Sequence, residues 1–215
     1  MKRKIVAISV ILLLVAIPIG IAGASQTSIK NNRSVAVEMG SVTDEGIFDT
    51  QTFLMSEAEL EELEDAFIEI IGNAKSVRST NGLTKLVDNI LGGDHPIKYR
   101  ISKTILKSKL SHSRVFIISF GRNYDFNPFK QNDLKIRKPF TMWHYSANTM
   151  IKGRTLIIRP LALMSSEMLA GRQFGIMTKF TGFYLHVSRT FPEQSYTFFI
   201  GTARHANGME LSISR

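Results

Sequence analysis

Cysteine is absent from the chain. Its absence excludes disulfide frameworks, thiolate zinc sites, iron–sulfur clusters and cysteine nucleophiles. The common catalytic signatures are missing as well: there is no Gly-x-Ser-x-Gly nucleophile elbow, no His-Glu-x-x-His zinc motif and no phosphate-binding glycine loop ending in Lys-Ser or Lys-Thr. The sequence therefore predicts no metal and no cofactor, and it favours a protein that is not an enzyme.

Acidic residues are scarce in the second half of the chain. Residues 96–215 contain nineteen basic and five acidic residues, whereas residues 25–95 contain five basic and thirteen acidic residues. The formal net charge of +9 thus hides an acidic part followed by a strongly basic part. Two interpretations stay open. Either the basic part binds an anionic partner in a salt-sensitive way, or the acidic part packs close to it and neutralises it.

The first 24 residues are typical of an export signal. A basic head, Lys2 to Lys4, precedes an uncharged apolar run from Ile5 to Ala24, and the residues before Ser25 fit a signal-peptidase site. The run is also long enough to cross a bilayer core of about 30 Å, so a cleaved signal peptide and an uncleaved transmembrane anchor both stay open. Either way we expect the remaining chain outside the cytoplasm, secreted or held at the membrane by a single N-terminal helix. An exported chain without cysteine favours a prokaryotic protein.

Three further segments are predicted after residue 24. Residues 25–55 are polar and have no sustained period, which predicts a linker. Residues 56–93 predict an acidic helical segment of two amphipathic helices, the first beginning at a capping box of Ser56 and Glu59, with its carboxylates on a solvated face. Residues 94–215 predict a basic strand-rich domain.

The fold class predicted from this order is α+β, with helices followed by a mostly antiparallel sheet, a sandwich or an open barrel. Residues 97–103, "IKYRISK", alternate as a half-buried strand with a basic outer face, and residues 114–120, "RVFIISF", read as a central strand. Residues 161–171 predict a short helix, and residues 172–188 predict one strand of a hairpin.

The stretch "FTMWHYSA" contains the only tryptophan of the chain. Strand alternation places Phe140, Met142 and His144 on one face and Trp143 and Tyr145 on the other, so Trp143 and His144 cannot form one site. Trp143 and Tyr145 are expected to pack together, each polar tip reaching a hydrogen-bond partner. His144 is expected to be a hydrogen-bonded core histidine, and it is also the weak catalytic candidate of this chain.

Other candidate catalytic or metal-binding groups are few. His186 and His205 are expected on one hairpin, with His186 opposite Ile200, which separates the two rings by roughly 16 Å along the sheet. At that distance they could not share a zinc ion. Asp125 and Glu167 are the one carboxylate pair that we consider for glycosidase-type chemistry.

Basic side chains interleaved with aromatic ones are the stronger lead, because such surfaces bind polyanions. The predicted binding residues are Arg100, Arg137, Lys138, Arg159 and Arg172. An anionic membrane surface or an acidic cell-surface polymer is the expected partner, and no nucleic acid is expected outside the cytoplasm. A purely protective role of these charges at strand edges is the simpler alternative.

The function predicted from the sequence is a non-catalytic envelope or surface-associated module that binds an anionic surface or polymer. One alternative is an exported hydrolase with a site near His144. Another is that the acidic helices act as an internal cover or pro-segment of the basic domain.

Overall fold

A computed structural model of the chain describes residues 33–43, 48–77, 80–91, 96–107, 114–123, 127–129, 140–146, 153–159, 165–189 and 193–211. These residues belong to one compact unit that begins at Arg33. The predicted signal or anchor, residues 1–24, lies outside them. None of the helices within these ranges combines the length and the apolar character needed to cross a membrane.

Helices and strands follow one another in a simple order. The strands are β1 (Ser34–Val42), β2 (Phe48–Ser56), β3 (Val115–Asn123), β4 (Phe140–Tyr145), β5 (Gly153–Arg159), β6 (Ser165–Ala170), β7 (Gln173–Thr178), β8 (Thr181–Val187), β9 (Ser195–Ala203) and β10 (His205–Glu210). The helices are α1 (Glu57–Ala74), α2 (Thr80–Ile90) and α3 (Pro96–Lys107), and all three lie between β2 and β3.

The strands form two antiparallel sheets, and neither is closed into a barrel. The large sheet has seven strands in the order β2-β1-β8-β9-β3-β5-β6, and the small sheet has three in the order β10-β7-β4. Every strand pair is antiparallel. The prediction of a mostly antiparallel β fold with a helical segment is therefore confirmed at this level.

The large sheet is the middle of three layers, because both of its faces are apolar. One face packs against the helices, as where Phe67 of α1 stacks on Phe198 of β9 with ring centroids 3.8 Å apart. The other face packs against the small sheet, where Trp143 of β4 meets Phe199 of β9 edge to face at 5.9 Å. Continuous apolar runs such as that of β3 are the expected sequence of a strand buried on both faces.

Helix α1 begins where the sequence predicts. The Ser56 side chain accepts a hydrogen bond from the Glu59 backbone N–H, and the Glu59 carboxylate accepts one from the Ser56 N–H at 2.8 Å. This reciprocal pair satisfies two backbone donors that the first helical turn leaves free. The second predicted helix is α2, with Leu83 and Val87 on its buried face.

Residues 25–55 do not form the predicted linker throughout, since they include β1 and most of β2. These two strands pair along their whole length. Val35, Val37 and Met39 alternate along β1 and pack into the core that faces the helices. Ala36 and Glu38 lie between these three residues, and the alternation is short and flanked by polar segments on both sides.

Residues 97–103 are helical, so the predicted strand with a basic outer face was wrong. Ile97 and Ile101 are buried whereas Tyr99 is 68% exposed, which is a helical and not an alternating pattern. Residues four apart share a helix face, and proline favours the first helical position, which Pro96 occupies.

Two further elements differ from the prediction because the chain changes sheets. Residues 165–170, expected to be helical, form β6 at one edge of the large sheet, and Gly171 follows with a φ of 76°. Residues 172–188, expected to be one strand, form β7 in the small sheet and β8 in the large one. Lys179 lies between them with a φ of 49°, a left-handed conformation that ends the first strand.

The hairpin of β8 and β9 is confirmed with a shifted register. His186 lies opposite Thr197 and not opposite Ile200. His205 belongs to β10 of the small sheet, where it lies opposite Thr178.

Candidate functional site

Within the part of the chain that the structure describes, the outer face of the small sheet carries the largest group of exposed apolar side chains. Its three rows across β4, β7 and β10 follow from the strand registers. The rows are Phe140–Thr178–His205, Met142–Ile176–Asn207 and His144–Phe174–Met209. We call the apolar members of these rows, Phe140, Met142, Phe174, Ile176 and Met209, the outer patch.

The opposite, inner face of the small sheet is built around Trp143. Its indole lies against Gly175 and Gly208, the residues beside it in β7 and β10, because these lack side chains. A Cβ atom at Gly175 would lie 2.0 Å from Trp143 Cζ2. The predicted alternation of β4 is therefore confirmed: Trp143 and Tyr145 are buried, and Phe140 and Met142 point to solvent.

Four of the five residues of the outer patch are exposed, and Phe174 is half-buried. Phe140 is 49% exposed, Met142 39%, Ile176 39% and Met209 59%. Among the described residues seven large hydrophobic side chains are exposed, and five of them, these four and Leu211, lie on or beside the outer face. Contiguous apolar surface of this kind marks an interaction site more often than scattered single residues do.

Positive charge lies at one end of this face. Lys179 follows β7 directly, and Arg204 precedes β10 with its backbone N–H donating to the Thr178 carbonyl oxygen at 2.9 Å. Both residues are exposed, and neither forms an ion pair within the described ranges. The nine side chains of the three outer rows include no aspartate or glutamate.

Arg100 and Arg159, two of the predicted binding residues, lie far apart across the large sheet. Arg100 donates to Gln51 Oε1 of β2 at 2.6 Å, at one edge of the large sheet. Arg159 of β5 lies next to the other edge, five strand spacings or roughly 24 Å away. Arg137 and Lys138 lie outside the described residues, three and two positions before the first residue of β4 in the sequence.

Arg159 is engaged within the protein. Its guanidinium donates to the Glu167 carboxylate at 2.8 Å and to the Ala206 carbonyl oxygen at 3.1 Å. It thereby links β5 and β6 of the large sheet to β10 of the small sheet. Arg172, which lies between β6 and β7, is half-buried, and its carbonyl oxygen accepts from the Leu211 N–H at 2.8 Å.

Two carboxylates of α1 form ion pairs with arginines of the basic part of the chain, Arg122 in β3 and Arg189 just after β8. Glu64, predicted on a solvated face, is buried and receives a two-pronged hydrogen bond from Arg122 of β3, with one arm at 2.9 Å from Nε to Oε1. Glu57 forms an ion pair with Arg189, which also binds Glu193 at 2.8 Å. That hydrogen bond and the charge of Arg189 lower the pKa of the Glu193 carboxyl group.

His144 lies on the outer face and is exposed, so the prediction of a core histidine was wrong. Its neighbour across the strand pair is Phe174. The strand alternation correctly predicted which residues share a face with His144. Both faces of β4 carry apolar side chains, so the alternation alone could not show which face is buried. The hydrolase alternative stays a prediction.

A row of polar residues on the second face of the large sheet escaped the sequence analysis. His186 Nδ1 lies 2.8 Å from Thr197 Oγ1, and the Tyr184 hydroxyl donates to the Glu38 carboxylate at 2.7 Å. Burial, with added repulsion from Glu38, raises the pKa of Tyr184. Glu38 lies in a segment predicted to be a linker, so no sequence signal pointed to this contact.

Trp143 and Tyr145 are both buried in the core between the sheets, but they differ in hydrogen bonding. The Tyr145 hydroxyl lies 2.8 Å from Ser119 Oγ, which in turn lies 2.6 Å from Thr155 Oγ1. The indole N–H of Trp143 has no acceptor among the described residues.

Within the described ranges no three histidine, aspartate or glutamate side chains are grouped closely enough to hold a metal ion. His186 and His205 belong to different sheets. Asp125 lies outside the described residues, and Glu167 binds Arg159.

Comparisons with known proteins give no relative: no family model matches the chain, and neither a curated protein nor a solved structure matches it.

Proposed function

We propose that this protein is a non-catalytic extracytoplasmic module that binds an anionic surface, exported or anchored by its N-terminal segment. The observation that carries the proposal is the pair of exposed cations, Lys179 and Arg204, beside the outer patch. A cation that is paired with a carboxylate of the protein attracts an external anion only weakly. Lys179 and Arg204 have no such ion pair within the described ranges, so they can attract an anionic partner.

The pairing of other arginines supports this assignment. Arg122, Arg159 and Arg189 are bound by carboxylates of the protein itself. Helix α1 can therefore neutralise Arg122 and Arg189 while Lys179 and Arg204 bind an anion, because the two roles use different residues. Arg137 and Lys138 stay predicted contributors.

Charge reversal tests the proposal. The chain from Ser25 onward contains the whole compact unit that begins at Arg33. We expect it to sediment with vesicles that contain phosphatidylglycerol and not with phosphatidylcholine vesicles, and to bind an acidic polysaccharide, both less strongly as salt rises. A basic residue near an anionic membrane contributes about 1 kcal/mol, so Lys179→Glu with Arg204→Glu should weaken vesicle binding by about 30-fold or more.

Lys85→Glu with Lys103→Glu is the matched control, because it makes the same change of charge at two exposed lysines of α2 and α3, in the helical layer. It should change binding much less than the reversal of Lys179 and Arg204. Equal losses in both variants would mean that net charge alone governs binding. Absence of binding at low salt would refute the proposed function.

A further inference from the structure

We propose that the outer face of the small sheet is a membrane-docking surface, whose apolar side chains enter the interfacial region of an anionic bilayer. This inference rests on the proposed function and names its partner as lipid. It assigns the contact to side chains of the outer patch, with Lys179 and Arg204 at the lipid headgroups.

Within the described residues, the outer face of the small sheet is much less buried than the inner face. The inner side chains of the same strands, such as Trp143 and Met177, fill the core between the sheets and are fully buried. Phe140, Met142 and Ile176 lie on the other face of these strands and are partly exposed to water, at 49%, 39% and 39%. Because the removal of apolar surface from water is favourable, burial of these side chains in a bilayer interface would favour docking.

The arrangement of charge favours a bilayer over a second copy of the chain. The three outer rows contain no carboxylate, so two outer faces in contact would offer Lys179 and Arg204 no acidic partner within these rows. An anionic bilayer offers both matching parts, since its headgroups are negative and the region below them is apolar. An acidic polysaccharide offers the charge alone.

Substitution of the patch separates lipid docking from simple charge attraction. Met142→Ser with Ile176→Ser removes two neighbouring apolar side chains and leaves every charge in place. We expect this variant to bind phosphatidylglycerol vesicles about tenfold or more weakly and to bind the acidic polysaccharide as the parent does. Leu54→Ser is the control, because Leu54 is 71% exposed on β2, at the edge of the large sheet.

A fluorescent label reports insertion directly, because the chain has no cysteine to compete for it. A polarity-sensitive dye on Met142→Cys should shift to the blue with phosphatidylglycerol vesicles, and the same dye on Tyr99→Cys of α3 should not. Circular dichroism and thermal melting confirm that each variant is folded.

The outcomes distinguish this inference from the proposed function. Unchanged vesicle binding by the Met142→Ser, Ile176→Ser variant, or equal dye shifts at both positions, would overturn lipid docking and leave the proposed function in place. Failure of the parent chain to bind either anionic ligand would overturn both. A patch-dependent dimer of the parent chain in sedimentation analysis, with no vesicle binding, would assign the face to a second copy and overturn the inference.

Discussion

Glu64 differs from the exposed acidic residues around it on α1, because its carboxylate is turned toward the large sheet. It is 7% exposed and binds the Arg122 guanidinium through both oxygens. A buried charged group is stable only with such a partner, so loss of either member leaves the other desolvated and uncompensated.

We expect Glu64→Gln to lower the free energy of unfolding by about 2 kcal/mol, since it removes one charge of the pair and leaves Arg122 partly buried. Urea denaturation measures the change. Glu61→Gln is the matched control on an exposed position of the same helix and should stay within about 0.5 kcal/mol of the parent. Equal effects of the two substitutions would show that the Glu64–Arg122 pair contributes nothing.

Buried tyrosines predict a loss of stability in alkali. Burial raises the pKa of Tyr145, Tyr184 and Tyr196, in Tyr145 against an opposing hydrogen bond from Ser119. A folded pKa above the unfolded value of about 10 means that the stabilisation is complete below pH 10 and is lost as the pH rises through the folded pKa.

Tyr145→Phe should therefore reduce the loss of stability between about pH 9 and pH 11, although it removes the hydroxyl contact with Ser119 at lower pH. Chemical denaturation at both pH values measures this difference. In the parent, tyrosinate absorbance from the buried groups should appear together with unfolding. Complete ionisation of all tyrosines near pH 10 in the folded protein would contradict the account.

At the residue scale, the sequence predicted which residues share a strand face, but it did not predict which face is buried. The alternation of β4 correctly grouped Phe140 with His144 and Trp143 with Tyr145. It could not tell the buried group from the exposed one, because each contains large apolar side chains. Which face is buried depends on Gly175 and Gly208, which are distant in sequence from Trp143. They leave room for the indole on one side of β4.

Gly175 sets how closely β7 approaches Trp143, and so it controls the fit of the small sheet as an element. We expect Gly175→Ala to lower the free energy of unfolding by about 2 kcal/mol or more, because the new methyl group would overlap the indole ring. Thermal melting measures the loss. Trp143→Phe should partly restore a protein that carries Gly175→Ala.

Gly72→Ala is the control for adding a methyl group. Gly72 lies exposed on α1, where the nearest atom to a new Cβ is Arg154 Nη1 at 3.4 Å. Alanine favours a helix over glycine by up to about 1 kcal/mol, so this variant should be as stable as the parent or more stable. A destabilisation by Gly175→Ala no larger than that of the control would contradict the close packing of Trp143.

Elements with strong local signals were predictable, and those defined by distant partners were not. A capping box and a clear apolar face identified α1 from its own residues. β1 and β6 carry weak local patterns, and each becomes a strand by pairing with a neighbour, β8 and β5. The spacing of Ile97 and Ile101 in α3 fits both a strand and a helix. The helix forms because it buries these two side chains in the core against the large sheet.

At the scale of the whole molecule, the separation of charge along the sequence is partly undone by the fold. The acidic helix α1 packs on the large sheet and binds Arg122 and Arg189, which belong to the basic part of the chain. The sequence predicted the excess of charge in each part, but only the fold shows which cations form ion pairs with carboxylates of the described residues. Lys179 and Arg204 stay exposed, and the account assigns anion binding to their end of the small sheet.

The most direct test of the central claim is hydroxyl-radical footprinting of the unmodified chain from Ser25 onward, with and without phosphatidylglycerol vesicles. Leu54 and Tyr99 are exposed away from the small sheet. They serve as internal references, because scavenging of radicals by lipid lowers oxidation at every exposed residue. The account predicts that oxidation of Phe140, Met142 and Met209 falls several-fold relative to these references. An equal change at the patch and at the references would contradict docking through the small sheet.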